Sequence, residues 1–378
     1  MPDQHRAGLA TVLREWGRIG CIGFGGPPSH IALFRKLCVD DRGWLDDQEF
    51  EDAIAACNLL PGPASTQLAI FCAWRVRGRA GALVGGAAFI LPGLIAILVL
   101  AALFLGDPPT WVKAAGAGAG AAVAAIALQA GAALIPAGWK RAPHRRRWIV
   151  YLVLGAVSAA TVGPWLVLVL VACGVAEVLA QRLPAPTRRP SAALPLLVAA
   201  GPLLPLAWTA LKVGALSYGG GFVIIPLMQA DAVDQHHWMT AAEFLNAVAL
   251  GQITPGPVVH TVAVVGYAAA GLAGGLLAAV VAFSPSFAFV LLGADRFDRL
   301  RANRRVRAFL DGAGPAAIGA ILGSAVPLIR ALTEPWQYAV LAGAVILTLA
   351  ARRGPVLTLL TAAAAGVIVV LAGGPLPS

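Results

Sequence analysis

Charged residues are scarce in this chain of 378 residues, and that scarcity indicates its class. Asp, Glu, Lys and Arg together make up 12% of the sequence, whereas hydrophobic residues make up 59%. Soluble domains carry about 25% charged residues. Apolar stretches long enough to cross a bilayer recur along the chain, for example at residues 81–105, 112–135 and 271–292. The composition excludes soluble, disordered, coiled-coil and secreted proteins and indicates a polytopic membrane protein.

Several chemical signatures are also missing from the sequence. The five cysteines form no C-x-x-C pair, and the six histidines are scattered apart from one adjacent pair, so we predict no metal site and no cofactor. The first twenty residues carry five charges instead of one apolar core, so we expect no cleaved signal peptide. The sequence has no P-loop for ATP, so the energy for any transport must come from an ion or proton gradient, or from a partner.

The formal net charge is +10, and its distribution favours a membrane topology over a nucleic-acid partner. The arginines fall in short blocks between apolar segments, which is the pattern of cytoplasmic loops in membrane proteins. We therefore expect no nucleic acid among the partners of this protein.

An internal repeat organises the chain. Position i resembles position i+194 from about residue 20 to residue 135, without a gap, and the matches include glycine, tryptophan and proline. The motif Pro61-Gly62-Pro63 recurs as Pro255-Gly256-Pro257. We therefore predict two repeats, at residues 1–185 and 186–378, joined by a link rich in Pro and Arg.

The loop charges of the two repeats are opposite. The loop at residues 75–79 is basic, whereas its counterpart at 269–273 carries no charge. The next pair reverses this pattern, with two charges at residues 106–113 and many arginines at 295–307. Because positive loops stay in the cytoplasm, equivalent loops lie on opposite sides, which is typical of an inverted-topology repeat. The alternative, a same-direction duplication, would need both repeats to be charged alike.

The predicted fold class is all-α: a polytopic transmembrane helix bundle with two inverted-topology repeats and interrupted helices. The second repeat begins with an apolar span at residues 194–216, whose charged counterpart near the N-terminus is expected as an amphipathic helix on the cytoplasmic surface. We expect about thirteen crossings, with the N-terminus inside and the C-terminus outside. The expected spans of the first repeat, which ends in a short hairpin, are residues 20–39, 50–74, 81–105, 113–135, 148–161 and 165–180.

The two Pro-Gly-Pro motifs fall in the middle of apolar segments. Proline interrupts the hydrogen-bond ladder of a helix, and within a membrane such a break needs partners from protein or ligand. We expect Pro63 and Pro257 to begin the following half-helix and the amides of residues 64–66 and 258–260 to be free for an oxyanion. A kink made only for packing is the alternative, but two such breaks at symmetry-related positions favour function.

Hydrogen-bond donors surround the breaks and the glycine pairs of the two repeats. These glycine pairs suit either close helix packing or an anion cradle. The two histidines near the breaks could also couple protons, and a packed, hydrogen-bonded core histidine is the alternative. The candidate substrate-binding residues, which combine the breaks with nearby donors, are Gly25, Gly26, Ser29, His30, Asn58, Pro61, Gly62, Pro63, Ser65, Thr66, Gly219, Gly220, Gln252, Thr254, Pro255, Gly256, Pro257 and His260.

Few charged groups accompany these donors. Arg18 and its counterpart Lys212 are candidates to balance the charge of a substrate, and snorkelling to the membrane interface is their alternative role. Glu49 and Glu243 recur with the repeat, each five residues after a tryptophan and directly before a phenylalanine. We interpret this W-x4-E-F pattern as a helix start with a tryptophan anchored at the interface.

These motifs resemble those of the chromate ion transporter family, in its long two-domain form, over essentially the full chain. Relatives often have Pro-x-Ala-His where this chain has Pro27-Pro28-Ser29-His30. The resemblance implies a multi-pass carrier of the inner (plasma) membrane that expels chromate and confers resistance to it, with sulfate as a similar oxyanion. The residues that carry the resemblance are F-G-G-P-x-x-H at 24–30, the W-x4-E-F box, L-L-P-G-P at 59–63, Y-G-G-G at 218–221 and I-T-P-G-P at 253–257.

The residues and the resemblance together predict gradient-driven export of a tetrahedral dianion by alternating access at a midplane site between the repeats. The expected partners are the small oxyanion and the lipid bilayer, and a homodimer is left open. One alternative keeps the carrier with sulfate or another oxyanion as its substrate. Another alternative is a membrane enzyme acting on lipid phosphate, for which the sequence has no clustered Asp, His and Ser residues.

Overall fold

Helices form all the regular structure of the described residues. The computed structural model describes residues 7–57, 62–106, 108–161, 165–181, 203–217, 222–293 and 303–377. These ranges contain no strand, so the all-α prediction is confirmed. Within them, four helical segments are long and apolar enough to cross a membrane, which fits a polytopic bundle; the count of about thirteen crossings stays a prediction. The four segments are Ala64–Leu105, Thr110–Arg141, Val258–Gly293 and Arg304–Arg330.

The helices follow one another in the same order in the two halves. In the first half they are α1 (Leu9–Ile22), α2 (Pro27–Arg35, continued by a π-helical turn at Lys36–Asp41), α3 (Asp47–Cys57), α4 (Ala64–Leu105), α5 (Thr110–Arg141), α6 (Arg145–Thr161) and α7 (Leu166–Ala180). In the second half they are α8 (Leu204–Leu216), α9 (Ile225–Gln229, continued by a π-helical turn at Ala230–Gln235), α10 (Ala241–Ile253), α11 (Thr261–Gly293, after a 3-10 turn at Val258–His260), α12 (Arg304–Gly323), α13 (Ala325–Arg330), α14 (Pro335–Val345, continued by a π-helical turn at Ile346–Ala350) and α15 (Pro355–Leu371).

The first predicted span is interrupted. α1 ends at Ile22 and α2 begins only at Pro27. Between them Gly25 and Gly26 have φ angles of 94° and 74°, a conformation that glycine adopts without a steric penalty. The span expected at residues 20–39 is therefore interrupted at the glycine pair, in keeping with the predicted interrupted helices.

The long helices α4 and α11 each fold back on themselves. A Cβ atom added to Gly81 would overlap the carbonyl oxygen of Ala73, which lies eight positions earlier in the same element. In a straight helix, residues eight positions apart are separated by about 12 Å along the axis. In the same way, a Cβ atom on Gly274 would overlap the carbonyl oxygen of Gly266. Each long helix is therefore a tight hairpin of two segments.

The two hairpin turns have the same backbone conformation. Gly78 has φ and ψ of 64° and −153°, and Gly271 has 61° and −154°. Both turns fall within the loops that the charge pattern predicted. The two glycines are 193 positions apart, however, so the repeat spacing of 194 shortens by one residue at the turn. The prediction of a gapless match is therefore wrong just beyond the turn, where Pro92 corresponds to Pro285.

Capping side chains fix the starts of α3 and α10 in equivalent ways. Asp46 Oδ1 accepts a hydrogen bond from the backbone amide of Glu49 at 2.7 Å. In the second half, Thr240 and Glu243 form a capping box, in which each side chain accepts a hydrogen bond from the backbone amide of the other. The two glutamates therefore mark helix starts, as predicted; the tryptophan anchor stays a prediction.

Equivalent helices of the two halves make equivalent contacts. α1 packs against α4, and α8 packs against α11. The last two helices of each half pack against the other half. α6 and α7 contact α12, and α14 and α15 contact α5. The two halves therefore interlock. Their division at residue 185 and their inverted orientation stay predictions.

The N-terminal helix belongs to the packed bundle. Val12, Trp16 and Ile19 form its buried face, and Trp16 Nε1 donates a hydrogen bond to the carbonyl oxygen of Ala69 at 2.8 Å. The opposite face keeps its arginines exposed. α1 is amphipathic as predicted, but it packs on α4 as α8 packs on α11, which the surface-helix prediction did not include.

Gly20 and Gly17 provide a matched test of the close approach between α1 and α4. A Cβ atom on Gly20 would lie 2.6 Å from the carbonyl oxygen of Phe89, whereas one on Gly17 would lie 3.9 Å from that of Ala88. We expect Gly20→Ala to force the helices apart, at a cost of about 1–3 kcal/mol, and to lower the melting temperature of the detergent-purified protein. Gly17→Ala should leave it unchanged or raise it. Equal melting temperatures of the two variants would contradict this contact.

Candidate functional site

Each Pro-Gly-Pro motif separates two helices, as predicted. The first motif lies between α3 and α4, and the second lies between α10 and the 3-10 turn that leads into α11. Pro63 and Pro257 differ from the prediction by one position. Both precede the new helix in extended conformation, with ψ angles of 103° and 133°, instead of forming its first residue.

The free amides at these helix starts are fewer than predicted. The amide of Thr66 donates to the carbonyl oxygen of Pro63 at 3.0 Å, and the amide of His260 donates to that of Pro257 at 3.0 Å. The prediction of three free amides at each end is therefore wrong, because the third amide closes the first turn. The two preceding amides at each start keep no intrahelical partner and carry the partial positive charge of the helix end.

The second break is bonded to the junction between α1 and α2. The amide of Gly256 donates to the carbonyl oxygen of Gly23 at 2.9 Å. The same oxygen lies 2.9 Å from His30 Nε2, which fixes the proton of that imidazole on Nε2. A backbone amide of one half thus pairs with a backbone carbonyl of the other. We define the second-break site as Gly23, His30, Gly93, Gly256 and His260.

Ring packing fills the second-break site. A Cβ atom on Gly93 would overlap the carbonyl oxygen of Pro255 and would lie 2.7 Å from His260 Cε1. The His260 ring is completely buried and packs edge-on against Phe283, with 5.3 Å between ring centroids. The His30 ring packs in the same way against Phe89, on α4.

The first break contacts the second half in the mirrored arrangement. Gly62 has φ of +116°, and a Cβ atom there would lie 3.2 Å from the carbonyl oxygen of Gly214 and 3.4 Å from Ser286 Oγ. Gln67 Nε2 points to the same place, at 2.7 Å from that position. We define the first-break site as Gly62, Thr66, Gln67, Ser217 and Ser286.

Buried polar atoms without a hydrogen-bond partner are concentrated at these sites. Such atoms are uncommon in folded proteins, and each needs a ligand, a water or a functional reason. In the first-break site they are the hydroxyl oxygens of Thr66, Ser217 and Ser286, all three completely buried. His30 Nδ1, Gln252 Nε2 and both ring nitrogens of His260 are further examples in the described part of the chain.

The structure brings most of the predicted substrate-binding residues to the two breaks. Gly25 is exposed, and Gly26 and Ser29 are half-buried, so the glycine pair lies toward the outside of the junction whose buried member is Gly23. The hydroxyl of Thr254 donates a hydrogen bond to the carbonyl oxygen of Leu250. The predicted residues that are buried at the breaks or beside them are His30, Gly62, Pro63, Ser65, Thr66, Gln252, Thr254, Gly256, Pro257 and His260, with Pro255 half-buried. Asn58, Pro61, Gly219 and Gly220 lie outside the described residues.

The two predicted charge-balancing residues are both ion-paired within the protein. Arg18 Nε lies 3.2 Å from the carboxylate of Glu15, and the Arg18 side chain is 56% exposed. Lys212 Nζ lies 2.5 Å from Asp231 Oδ2, which also accepts a hydrogen bond from the hydroxyl of Thr209. Charge balance of a substrate by these cations stays a prediction.

Five residues of the two sites are not among the candidate substrate-binding residues: Gly23, Gln67, Gly93, Ser217 and Ser286. Gly23 and Ser217 occupy equivalent positions at the ends of α1 and α8, one residue beyond the last helical residue. The repeat spacing of 194 relates them, so the sequence held a signal for this pair. Gly93 and Ser286 are 193 positions apart, and the one-residue shift at the hairpin turns concealed their relation.

Comparisons with known proteins give one consistent family. The family model described as chromate transporter matches residues 10–178 and residues 204–367, whose first residues are separated by the repeat spacing of 194. A chromate transport protein of Cupriavidus metallidurans is 32% identical over 337 residues, which cover 85% of this chain and 83% of that protein.

Two further relatives carry similar names. A chromate transport protein of Pseudomonas aeruginosa is 29% identical, over 84% of this chain and 80% of its own. A probable chromate transport protein of Synechococcus elongatus is 29% identical, over 85% of each chain. No solved structure matches this chain significantly.

Gly93→Ala tests the contact between α4 and the second break. The added methyl group would overlap the carbonyl oxygen of Pro255, so we expect the bond between the Gly256 amide and the Gly23 carbonyl to break. Hydrogen exchange followed by mass spectrometry should then show faster exchange at the amide of Gly256.

The matched control is Gly343→Ala, because Gly343 is also helical but has no atom within 4 Å of an added Cβ. In that variant, the peptide that contains Gly256 should exchange its amide hydrogens at the same rate as in the unmodified protein. Equal exchange in the Gly93→Ala variant would show that the two halves do not meet as described.

Proposed function

The chain belongs to the chromate transporter family, and we propose that it carries chromate out of the cell across the inner (plasma) membrane. The observation that supports this most directly is the pair of broken helices, each lined by buried polar groups and each contacting the other half. Broken helices of this kind form substrate sites in membrane carriers built from inverted repeats.

The chemistry of the sites suits an oxyanion. The starts of α4 and of the turn before α11 offer free amides and a partial positive charge. Hydroxyl and amide side chains add further donors at the first break. The two candidate cations, Arg18 and Lys212, are paired with carboxylates, so the substrate meets dipoles and hydrogen-bond donors instead of a bare charge. Such a site binds a dianion reversibly, as a carrier requires.

The mechanism that we propose is alternating access. Residues 1–185 and 186–378 would be inverted repeats that rock against each other around the two breaks, driven by an ion or proton gradient. Equivalent contacts of α1 with α4 and of α8 with α11 support two related units. Sulfate, also a tetrahedral dianion, is the second substrate that we propose to test, and a homodimer can be tested on the same preparation by light scattering.

Pro255→Ala tests whether transport depends on the second break. Alanine restores an amide donor and favours helix, so α10 can extend toward Gly256 and distort the break. We expect chromate uptake into everted membrane vesicles to fall to the level of vesicles without the protein, at equal membrane levels. Uptake at the unmodified rate would refute a role of the second break in transport.

The control is Pro335→Ala, at the first position of α14, which packs against α5 and α15. This variant should transport normally. Flux of chromate and of sulfate into proteoliposomes, measured with and without an imposed pH gradient, then compares the two substrates and tests the driving force. Release of phosphate from lipid phosphate by the purified protein, without anion flux, would favour an enzyme over a carrier.

A further inference from the structure

The two break sites have related backbones but different side chains. At the equivalent positions of the two sites, Thr66 corresponds to His260, and Ser217 corresponds to Gly23. Beyond the hairpin turns, where the spacing is 193, Ser286 corresponds to Gly93. The first-break site therefore has three hydroxyl groups at positions where the second-break site has an imidazole and two glycines.

The backbone equivalence of these positions is close. Gly23 has φ and ψ of −76° and 72°, and Ser217 has −68° and 76°, each just after the last residue of its helix. Gly256 and Gly62 both have positive φ, at 90° and 116°. Gly23 accepts a hydrogen bond from the amide of Gly256, and the repeat relates this pair to Ser217 and Gly62. The end of α8 that carries Ser217 reaches the first break, because the carbonyl oxygen of Gly214 lies 3.2 Å from the Cβ position of Gly62.

The three hydroxyl groups of the first-break site are free to bind a ligand. Buried hydroxyl groups in helices ordinarily donate to a carbonyl oxygen one turn earlier. Ser324 does so, at 2.6 Å from the carbonyl oxygen of Ile321, and Thr261 does so at 2.8 Å from that of Val258. Thr66, Ser217 and Ser286 are equally buried, and their hydroxyl oxygens have no such partner.

Two of the three hydroxyl groups, those of Ser286 and Thr66, lie beside Gly62 or on the helix turn that follows it. The position that a side chain on Gly62 would occupy lies 3.4 Å from Ser286 Oγ and 2.7 Å from Gln67 Nε2. Thr66 lies on the first turn of the helix that begins beside Gly62, where the helix end adds its partial positive charge. At the second break, the His260 ring lies against Gly93 and Gly256.

We infer that the two breaks have different tasks: the first-break site binds the oxyanion through Thr66, Ser217 and Ser286, and the second-break site is a packed contact between the halves. The ligand class is a tetrahedral oxyanion that accepts hydrogen bonds from hydroxyl groups. The inference rests on the proposed function for the identity of that oxyanion as chromate or sulfate. The site takes residues from both halves, so movement of one half against the other would assemble or open it.

The test measures binding and stability of the same variants. Ser217→Ala and Ser286→Ala each remove one donor, and the dissociation constants for chromate and sulfate are measured by calorimetry on the detergent-purified protein. A hydrogen bond to a charged group is lost in each case, so we expect binding to weaken roughly 10- to 100-fold. Because the hydroxyl groups are unpaired without a ligand, the melting temperature in the absence of anion should stay the same or rise.

Ser324→Ala is the matched control, since it removes a buried hydroxyl that is already bonded to a carbonyl. It should leave both dissociation constants unchanged. If the unmodified protein binds anion and the serine variants bind it equally well, the hydroxyl groups hold only water or pack the core, and the inference is overturned. If the unmodified protein binds neither chromate nor sulfate, both the inference and the proposed function are contradicted.

Discussion

Pairing of backbone polar groups at the helix breaks is the constraint on which the rest of this structure depends. A helix that stops inside an apolar bundle leaves amides and carbonyls that cannot reach water. Here the amide of Gly256 finds the carbonyl oxygen of Gly23 in the other half. The second break is therefore satisfied by the other half, which ties the two halves together at this point.

Small residues make that pairing possible. Gly20 and Gly214 bring α1 against α4 and α8 against α11 closely enough for the ends of α1 and α8 to reach the breaks. Gly93 lets α4 pass the second break. In a membrane, where lipid competes with every apolar contact, such close backbone approach is a main source of attraction between helices. The glycines therefore position the polar sites.

Features controlled by local chemistry could be predicted from the sequence, and features controlled by packing between halves could not. Proline removes a helix donor wherever it lies, so both breaks were predictable, as were the capped starts at Glu49 and Glu243. The role of Gly23 depends on which segment of the other half reaches it, and nothing near it in sequence contains that information. Ser286 was harder still, because the turn at Gly271 shifts the repeat by one residue.

The two breaks have equivalent backbones but different side chains, and this difference has a physical consequence for a carrier. If both breaks bound a dianion equally, two double negative charges would repel each other across a low-dielectric interior. A single binding site, as inferred for the first break, avoids that repulsion. The ion pairs of Arg18 and Lys212 act in the same direction, because cations already held by Glu15 and Asp231 do not trap the anion. A moderate affinity, built from hydroxyl groups and helix amides, then allows release on the far side.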